Sequence, residues 1–282
     1  MKVAIIGTGQ IGKDLLYKLL KLNCIQIIAF VGRRTVPKEE LPHLDELNYS
    51  RICFSDQSIK YFISNPNCCD VVFDCTDAYS ACINNPIFTE QNITIIDLTP
   101  SNIGKMYIPN IIPVNKKCIN MITCGAQSSL PIIKYLKDKL GTIEYIEIIT
   151  QISASSAGLA TRNNIDKYIE TTQDAITFIT GVNNNKVILN LNPSIQTIMK
   201  TTIYVITPCD NDFIDMDDYV LNIKSYIPKY NVSKPSKISK NLLSININII
   251  GSGDYLLETH GNLDIINCAA IQALKELCVY HK

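Results

Sequence analysis

The first 22 residues constrain the fold most strongly, because they place a glycine-rich turn between an apolar run and a helical pattern. The apolar run "MKVAII" leads into three glycines spaced as G-x-G-x-x-G, and leucines then recur at nearly helical spacing. Such glycines permit a tight turn, approach of a pyrophosphate to the backbone, and packing of the helix on the strand. The segment predicts a dinucleotide-binding βαβ unit; the alternative is a glycine turn that binds no ligand. The predicted contact residues are Gly7, Thr8, Gly9, Gln10, Ile11 and Gly12.

Two arginines follow the second predicted strand, "IQIIAFVG", at residues 25–32. NAD-binding proteins usually carry an acid at this point, which accepts hydrogen bonds from the ribose 2′-hydroxyl. Here Arg33 and Arg34 follow instead, and a guanidinium suits a 2′-phosphate through charge-assisted hydrogen bonds. We therefore expect NADP in preference to NAD. The alternative is that the two arginines form a solvated strand end.

Two later apolar runs also predict strands, over residues 69–78 and 92–101. Strands of an open parallel sheet point their C-terminal ends at one crevice, which the glycine turn also faces. Thr76 and Thr99 lie at these ends, so we expect cofactor or substrate contacts there. The alternative is that both are turn residues only.

The balance of charges argues against two classes of partner. The chain has 26 basic and 26 acidic residues, which gives no sign of a nucleic-acid surface or of a polybasic membrane-binding face. Its apolar runs are far shorter than the ~20 residues of a membrane span. No signal-peptide pattern opens the sequence, so we expect a cytoplasmic protein.

The eleven cysteines are expected to be mostly reduced thiols, since no export signal accompanies them. His43, His260 and His281 are scattered, and no cluster of histidine, cysteine and aspartate has metal-ligand spacing. The sequence therefore predicts no metal site.

Several stretches together resemble one family, the acylating acetaldehyde dehydrogenases, which are CoA-dependent, NAD-linked enzymes that often work bound to a 4-hydroxy-2-oxovalerate aldolase. The matching stretches include "VAIIGTGQIG", "VVFDCTDA", "IIDLTPSNIG", "NMITCGAQSSLP", "SSAGLATRNNIDKYIETT" and "GNLDIINCAA". They follow the family's order over almost the whole chain. The resemblance weakens between about residues 209 and 252, where the chain is also shorter than the family implies.

The resemblance implies that Cys124 is the catalytic nucleophile. The chemistry fits, because a thiolate attacks an aldehyde to give a thiohemiacetal, which passes hydride to nicotinamide and leaves a thioester. Coenzyme A then takes the acyl group, and the reverse sequence reduces an acyl-CoA. Small residues after Cys124 allow a helix to start there, which would help to stabilise thiolate. The other cysteines are interpreted as small buried hydrophobic residues.

The resemblance also assigns cofactor contacts in the second half of the chain. It places Ser156, Ala157 and Gly158 at the nicotinamide end of the cofactor. Asn164 is expected there too, with its side-chain amide holding the thioester carbonyl oxygen. Asn262 matches another cofactor contact; its alternative role is a helix N-cap. Proline and glycine of the family are replaced here by Leu159 and Ala160, which indicates a stiffer or reshaped loop.

Two departures from the family bear on function. Arg34 stands where the family has an aspartate, which supports the preference for NADP. Thr201 stands where the family has a proposed general-base aspartate, and a threonine hydroxyl cannot accept a proton at neutral pH as a carboxylate can. His260 is a candidate replacement, because an unperturbed imidazole titrates near pH 6.5. The alternative is an exposed loop histidine.

The predicted architecture is α/β in two domains. A Rossmann-type dinucleotide-binding domain covers residues 1–123 together with 262–282, and an α+β catalytic and dimerisation domain covers 124–261. The segment over residues 226–241 is expected to be a loop, and a C-terminal helix from about Asn262 returns to the first domain. The resemblance implies a homodimer.

The predicted function is that of a CoA-acylating aldehyde dehydrogenase that uses NADP or NAD. The alternatives are a reductase of acyl thioesters on a carrier protein, a semialdehyde or acyl-phosphate dehydrogenase of the same architecture, and a non-catalytic relative. An acyl carrier protein or an aldolase is a candidate partner. The sequence leaves the acyl chain, the physiological direction and the presence of an aldolase open.

Overall fold

A computed structural model describes residues 1–42, 44–114, 117–194, 196–209 and 214–280, without the side chains of residues 159, 160 and 280. His43 and His281 lie outside the described residues. The chain divides into two compact units. The first comprises Met1–Met121, Asp254–Leu256 and the chain from Ala270 onward, and the second comprises Ile122–Gly253 and Leu257–Ala269.

The first unit is built on a parallel sheet of seven strands in the described residues. The strands are β1 Lys2–Ile6, β2 Gln26–Val31, β3 Cys53–Ser55, β4 Val71–Asp74, β5 Thr94–Asp97, β6 Lys105–Met106 and β7 Cys118–Asn120. Their order is β3-β2-β1-β4-β5-β7-β6, and the first five positions follow the Rossmann order. Val3 to Ile6 of β1 are fully buried, as expected for a central strand covered on both faces. The predicted α/β class with a Rossmann-type sheet is confirmed.

Helices connect these strands. They are α1 Gln10–Leu20, α2 Glu46–Arg51, α3 Ile59–Ser64 and α4 Ala78–Glu90. The strands β4 and β5 are shorter than the apolar runs that predicted them, because aspartates end both. The Asp74 carboxylate accepts a hydrogen bond from the Thr76 backbone N–H at 3.0 Å, and Asp97 accepts one from Thr99 at 2.8 Å. Such side-chain turns compete with the strand ladder.

The second unit carries a mostly antiparallel sheet of six strands in its described residues. The strands are β8 Tyr145–Ser153, β9 Asn185–Asn192, β10 Met199–Ile206, β11 Tyr230–Val232, β12 Ser236–Ser239 and β13 Leu242–Ile249. The order is β11-β13-β10-β8-β9, with β12 also paired to β13. Among the strand pairs described in this unit, only β8 and β9 run parallel. The unit also contains α5 Cys124–Leu140, α6 Leu159–Asn163, α7 Ile165–Thr180 and α8 Asp217–Lys224.

The expectation of a loop over residues 226–241 is wrong, because this segment contains β11 and β12. Tyr230 is fully buried, pairs with Ile249, and donates from its hydroxyl to the Ser128 carbonyl oxygen at 2.6 Å. All four residues of β12 are exposed. Lysines and a proline are typical of edge strands, and this composition resembles that of a loop.

The C-terminal helix, α9, runs over Gly261–Tyr280, close to its predicted start. Its residues up to Ala269 belong to the second unit, and those from Ala270 belong to the first. Among the helices that the structure describes, none has the length and apolar character needed to cross a membrane.

Candidate active site

The glycine turn of the first unit has the geometry that its sequence predicts. Gly7 has φ +104°, and a methyl group there would lie 2.4 Å from the Cys75 carbonyl oxygen. A methyl group at Gly12 would lie 2.0 Å from the Gly7 carbonyl oxygen, so the helix can pack closely only on glycine. A methyl group placed at Gly9 would have no other atom within 4 Å. Gly9 is also exposed and precedes α1, so the helix N-terminus is open to an anionic group.

Both arginines after β2 are engaged by acids of the same unit. Arg33 Nη2 lies 2.9 Å from Asp77, and its side chain is 82% exposed. Arg34 makes two hydrogen bonds of 2.6 Å to the two carboxylate oxygens of Glu40. Lys13 Nζ, from the first turns of α1, contacts the same carboxylate at 2.5 Å. The Arg34 and Lys13 hydrogen bonds hold the pKa of Glu40 at about 2, so Glu40 stays ionised between two cations.

Two buried acids lie side by side where β4 and β5 end. Asp74 and Asp97 are partners in the strand register and are 2% and 1% exposed. Burial, followed by the neighbouring Asp74, raises the pKa of Asp97 to about 7. The Thr76 hydroxyl donates to Asp74, so this predicted contact residue also holds the turn together. Thr99 is buried beside Asp97.

Cys124 is the first residue of α5, the longest helix wholly inside the second unit as described. Thr123 caps this helix, since its hydroxyl accepts from the Ala126 N–H at 3.0 Å. The preceding residue, Ile122, has φ +62°, a left-handed conformation that is costly for a β-branched side chain. Strained backbone of this kind concentrates at functional sites. The chain thus turns sharply just before the thiol and places it at a helix N-terminus.

The side chain of Tyr168, on α7, contacts the Cys124 sulfur. The hydroxyl oxygen and Sγ are 3.9 Å apart, and Tyr168 is buried while Cys124 is half-buried. Desolvation by burial raises the pKa of the Cys124 thiol to about 11. The Tyr168 hydroxyl and the backbone N–H groups of Gly125 and Cys124 act in the opposite direction. The thiol is therefore mostly protonated at neutral pH.

Hydroxyl groups lie behind this contact. Thr201 Oγ1 lies 3.0 Å from Ser128 Oγ on α5 and 3.5 Å from Thr150 Oγ1 on β8. All three residues are at most 1% exposed. A methyl group at Gly125 would lie 3.1 Å from Thr150 Oγ1. Thr201 thus contributes a buried hydroxyl to the surroundings of the first turn of α5.

The loop between β8 and α6 contains three of the predicted cofactor contacts. Ser156 is buried, and its hydroxyl donates to the Ser153 carbonyl oxygen at 2.8 Å. Arg162 holds the loop by donating to the carbonyl oxygens of Ala157 and Ala154, both at 3.0 Å. Gly158 is exposed, precedes α6, and has no atom within 4 Å of a methyl group placed there. The exposed end of this loop has room for a ligand.

Asn164 links α6 to α7. Its carbonyl oxygen accepts from the Tyr168 N–H at 2.8 Å, and its side chain is half-buried. Asn164 directly precedes α7, and Tyr168 lies in the first turn of that helix, four residues later. Sequence reasoning missed Tyr168, although its spacing from Asn164 was a usable signal.

His260 is buried, so the alternative of an exposed loop histidine is wrong. It is 6% exposed, directly precedes α9, and places Nε2 3.1 Å from the Ser155 hydroxyl. Its place beside the 153–158 loop was hidden in the sequence by more than a hundred intervening residues.

Asn262 lies inside the first turn of α9, because the helix already begins at Gly261; the N-cap alternative is wrong. The residue is 3% exposed, and its side-chain oxygen has no hydrogen-bond partner among the described residues. A buried amide oxygen without a donor is one that a bound ligand would satisfy.

Comparison with known proteins places this chain among enzymes of similar length. A family model described as prokaryotic acetaldehyde dehydrogenase, dimerisation, matches residues 124–257. An acetaldehyde dehydrogenase of Spirochaeta aurantia is 38% identical over 284 residues, which cover 98% of this chain and 94% of that protein. One of Pectobacterium atrosepticum is 38% identical over 280 residues, which cover 96% and 93%. The similarity extends over nearly the whole of each protein.

Solved structures show the same fold at low sequence identity. Aspartate semialdehyde dehydrogenase II of Vibrio cholerae, complexed with ASA, has a TM-score of 0.67 and 14% identity, covering 100% of this chain and 99% of that one. Aspartate semialdehyde dehydrogenase of Candida albicans, solved with NADP, has a TM-score of 0.63 and 14% identity, covering 99% of both chains. These two structures match the architecture from end to end.

Proposed function

This chain belongs to the acylating acetaldehyde dehydrogenase family, and from that premise we propose that Cys124 is the nucleophile that carries the acyl group. The enzyme is a nicotinamide-dependent aldehyde dehydrogenase. Its proposed reaction interconverts an aldehyde and an acyl-CoA through a thioester on this cysteine. The observation that carries the proposal is a half-buried thiol at the first residue of α5, beside a phenol hydroxyl 3.9 Å away.

The proposed chemistry uses the thiolate twice. In the oxidative direction the Cys124 sulfur attacks the aldehyde carbon, and loss of hydride from that carbon leaves a thioester. The CoA thiol then attacks the thioester carbonyl, the bond from carbon to the Cys124 sulfur breaks, and the thiolate returns. In the reductive direction an acyl-CoA acylates Cys124 and releases CoA. Cys124 as a residue is half-buried rather than fully enclosed.

The residues of the glycine turn fit a nicotinamide dinucleotide. The open space at Gly9 and the free end of α1 suit a pyrophosphate, which Gly7, Thr8, Gly9, Gln10, Ile11 and Gly12 would hold. The nicotinamide ring, when bound, supplies the hydride acceptor or donor of the reaction. Thr76, Ser156, Ala157, Gly158 and Asn262 are proposed as further contacts.

Asn164 is proposed to stabilise the developing oxyanion of the acyl group. Asn164 directly precedes α7, and its backbone carbonyl oxygen accepts from the N–H of Tyr168 in the first turn of that helix. A preorganised donor of this kind typically contributes about 10²–10³-fold to the rate. His260 is proposed as an auxiliary proton acceptor beside the 153–158 loop.

Mass spectrometry with acyl-CoA substrates tests this function. The protein is mixed with acetyl-, propionyl- and butyryl-CoA, and the acylated residue is mapped by peptide analysis. We expect an acyl adduct on Cys124, which also reports the preferred chain length. Acylation elsewhere, or none, would contradict the proposal. Phosphate-dependent turnover without CoA would favour the acyl-phosphate alternative, and adducts only from a carrier-bound thioester would favour a carrier-protein donor.

We propose a preference for NADP because Arg34 can bind a 2′-phosphate. Glu40 competes with the phosphate for this arginine. Arg34 and Lys13 form a cationic pair around one carboxylate, and a 2′-phosphate could take the place of Glu40 between them. The same acid repels the phosphate while it stays there. Cofactor choice then depends on the competition between the two anions.

Replacing Arg34 with alanine is expected to weaken NADPH binding by roughly 10- to 100-fold and to leave NADH binding nearly unchanged, since one charge-assisted contact contributes ~1.5–3 kcal/mol. Glu40→Gln is expected to tighten NADPH binding. Fluorescence titration of each nucleotide measures both effects without turnover. Arg51→Ala removes the same charge at the exposed end of α2 and serves as the control. Equal losses for both nucleotides in Arg34→Ala would contradict the 2′-phosphate role.

The matched family model is a dimerisation domain, which supports a homodimer. An aldolase or an acyl carrier protein is proposed as a further partner, because both would deliver or collect the reactive acyl or aldehyde group. Co-purification with each candidate, followed by native mass spectrometry, tests this part of the proposal.

A further inference from the structure

The phenol of Tyr168 is positioned to act on the Cys124 sulfur directly. Its hydroxyl lies 3.9 Å from Sγ, and a methyl group at Gly125 would lie only 2.1 Å from the same oxygen. The hydroxyl therefore lies against the first turn of α5 in a space that exists because residue 125 is glycine. The backbone N–H of Tyr168 donates to the Asn164 carbonyl oxygen, and this hydrogen bond stabilises the first turn of α7.

The surroundings of this contact contain hydroxyls and no carboxylate among the described groups that affect the thiol. The residues behind it are Thr150, Thr201 and Ser128, which are buried and do not titrate in the working pH range. Apart from backbone N–H groups, Tyr168 is the polar partner of the thiol. A hydroxyl environment cannot remove the thiol proton as a carboxylate would, but it can donate a hydrogen bond to the thiolate.

We propose that the Tyr168 hydroxyl stabilises the Cys124 thiolate by donating a hydrogen bond to it, in place of the carboxylate base that Thr201 lacks. The inference rests on the proposed role of Cys124 as nucleophile. The thiol proton leaves to solvent when the sulfur ionises, and the phenol proton stays on its oxygen throughout. Burial raises the pKa of Tyr168 well above its ordinary value, which keeps the phenol protonated as a donor.

Tyr168→Phe tests this role, because it removes the hydroxyl and keeps the ring. Pulsed alkylation with iodoacetamide after a pH jump, read at the Cys124 peptide by mass spectrometry, gives the rate against pH. We expect the variant to react about tenfold more slowly below the wild-type midpoint, which corresponds to an upward shift of about one pH unit for a hydrogen bond to a charged group. The two rates should converge only at pH values above the midpoint of the variant, about one pH unit above that of the wild type.

Tyr230→Phe is the matched control. Tyr230 is also buried and donates to the same helix, at the Ser128 carbonyl oxygen, but its hydroxyl bonds to the backbone there rather than to the thiol. Its alkylation profile should follow the wild type. A Tyr168→Phe profile that superimposes on the wild type would overturn the proposal, and so would a uniform loss of rate at every pH, which indicates only altered access.

Site-specific 3-fluorotyrosine at position 168 provides a second variant that keeps the hydroxyl, in case the phenylalanine variant does not fold. A more acidic phenol is a stronger donor, so the midpoint should move down by a few tenths of a pH unit; an unchanged or higher midpoint would count against the proposal. Alkylation needs no acyl-CoA, so its result is separate from the acyl-adduct test. A shifted profile without acyl adducts would support the hydrogen bond and contradict the proposed function. Acyl adducts with an unshifted profile would support the proposed function and contradict the hydrogen bond.

Discussion

Replacing Cys124 with alanine is expected to lower steady-state oxidation of acetaldehyde to acetyl-CoA by on the order of 10⁴-fold or more, as for removal of other covalent nucleophiles. Every proposed step forms or breaks a bond to this sulfur, so no other group in the mechanism can carry the acyl chain. Nucleotide binding should be nearly unchanged, because Cys124 is not among the residues proposed to contact the nucleotide. The rate of nucleotide reduction and the nucleotide dissociation constant measure the two effects separately.

Cys118 offers a closely matched control for this substitution. It is also half-buried, and burial also raises the pKa of its thiol to about 11. Cys118 lies at the start of β7, where the Asn85 side-chain amide contacts its sulfur, and not at a helix N-terminus. Cys118→Ala should retain activity within a few-fold. Substantial CoA-dependent turnover in Cys124→Ala would show that the acyl group is carried elsewhere or is never bound covalently.

The sequence predicted those parts of the fold in which local pattern and tertiary context agree. The glycine turn and the start of α5 at Cys124 could be predicted directly from the sequence, because glycine geometry and the start of a helix are local effects. The two strands within residues 226–241 could not be predicted in this way. The composition of this segment is that of a loop, and its strands exist because β13 offers a pairing partner and Tyr230 fills a buried site.

The candidate site shows the same division between local and long-range information. Cys124 and Asn164 could be proposed from motifs. Tyr168 was missed, although its spacing from Asn164 offered a signal. The contacts of Glu40 and His260 could not be predicted, since they join residues that are far apart in sequence or that carry no motif. For Arg34 the sequence indicated the positive charge but not its ion pair with Glu40. Because of that pair, a 2′-phosphate must compete with the Glu40 carboxylate for the arginine.

Thr201 illustrates why a missing residue is hard to interpret from sequence. The resemblance indicated only that a carboxylate was absent. The structure places the threonine in a buried hydroxyl cluster with Ser128 and Thr150, next to the helix turn that carries the thiol. An aspartate introduced there would be buried beside those hydroxyls, at a considerable desolvation cost. The replacement is therefore compatible with a site that stabilises thiolate by hydrogen bonds.

Substituting alanine at Gly9 or Gly12 is expected to weaken dinucleotide binding by on the order of 100-fold or more, but for different physical reasons. At Gly12 the added methyl group would lie 2.0 Å from the Gly7 carbonyl oxygen, so the loop or the helix must move. Overpacking of this kind costs about 1–3 kcal/mol of stability. At Gly9 no protein atom lies within 4 Å, so the methyl group enters the space left for the pyrophosphate.

The two variants separate folding from ligand binding. Thermal unfolding should show Gly12→Ala melting several degrees below the wild type, whereas Gly9→Ala should melt close to it. Fluorescence titration with NADH and NADPH should show a large loss of affinity in both. If Gly9→Ala binds either nucleotide as tightly as the wild type, then the glycine turn does not contact the pyrophosphate. The glycine turn would then serve only the packing of α1 on the sheet. The nucleotide would have to bind through residues other than those at the start of α1.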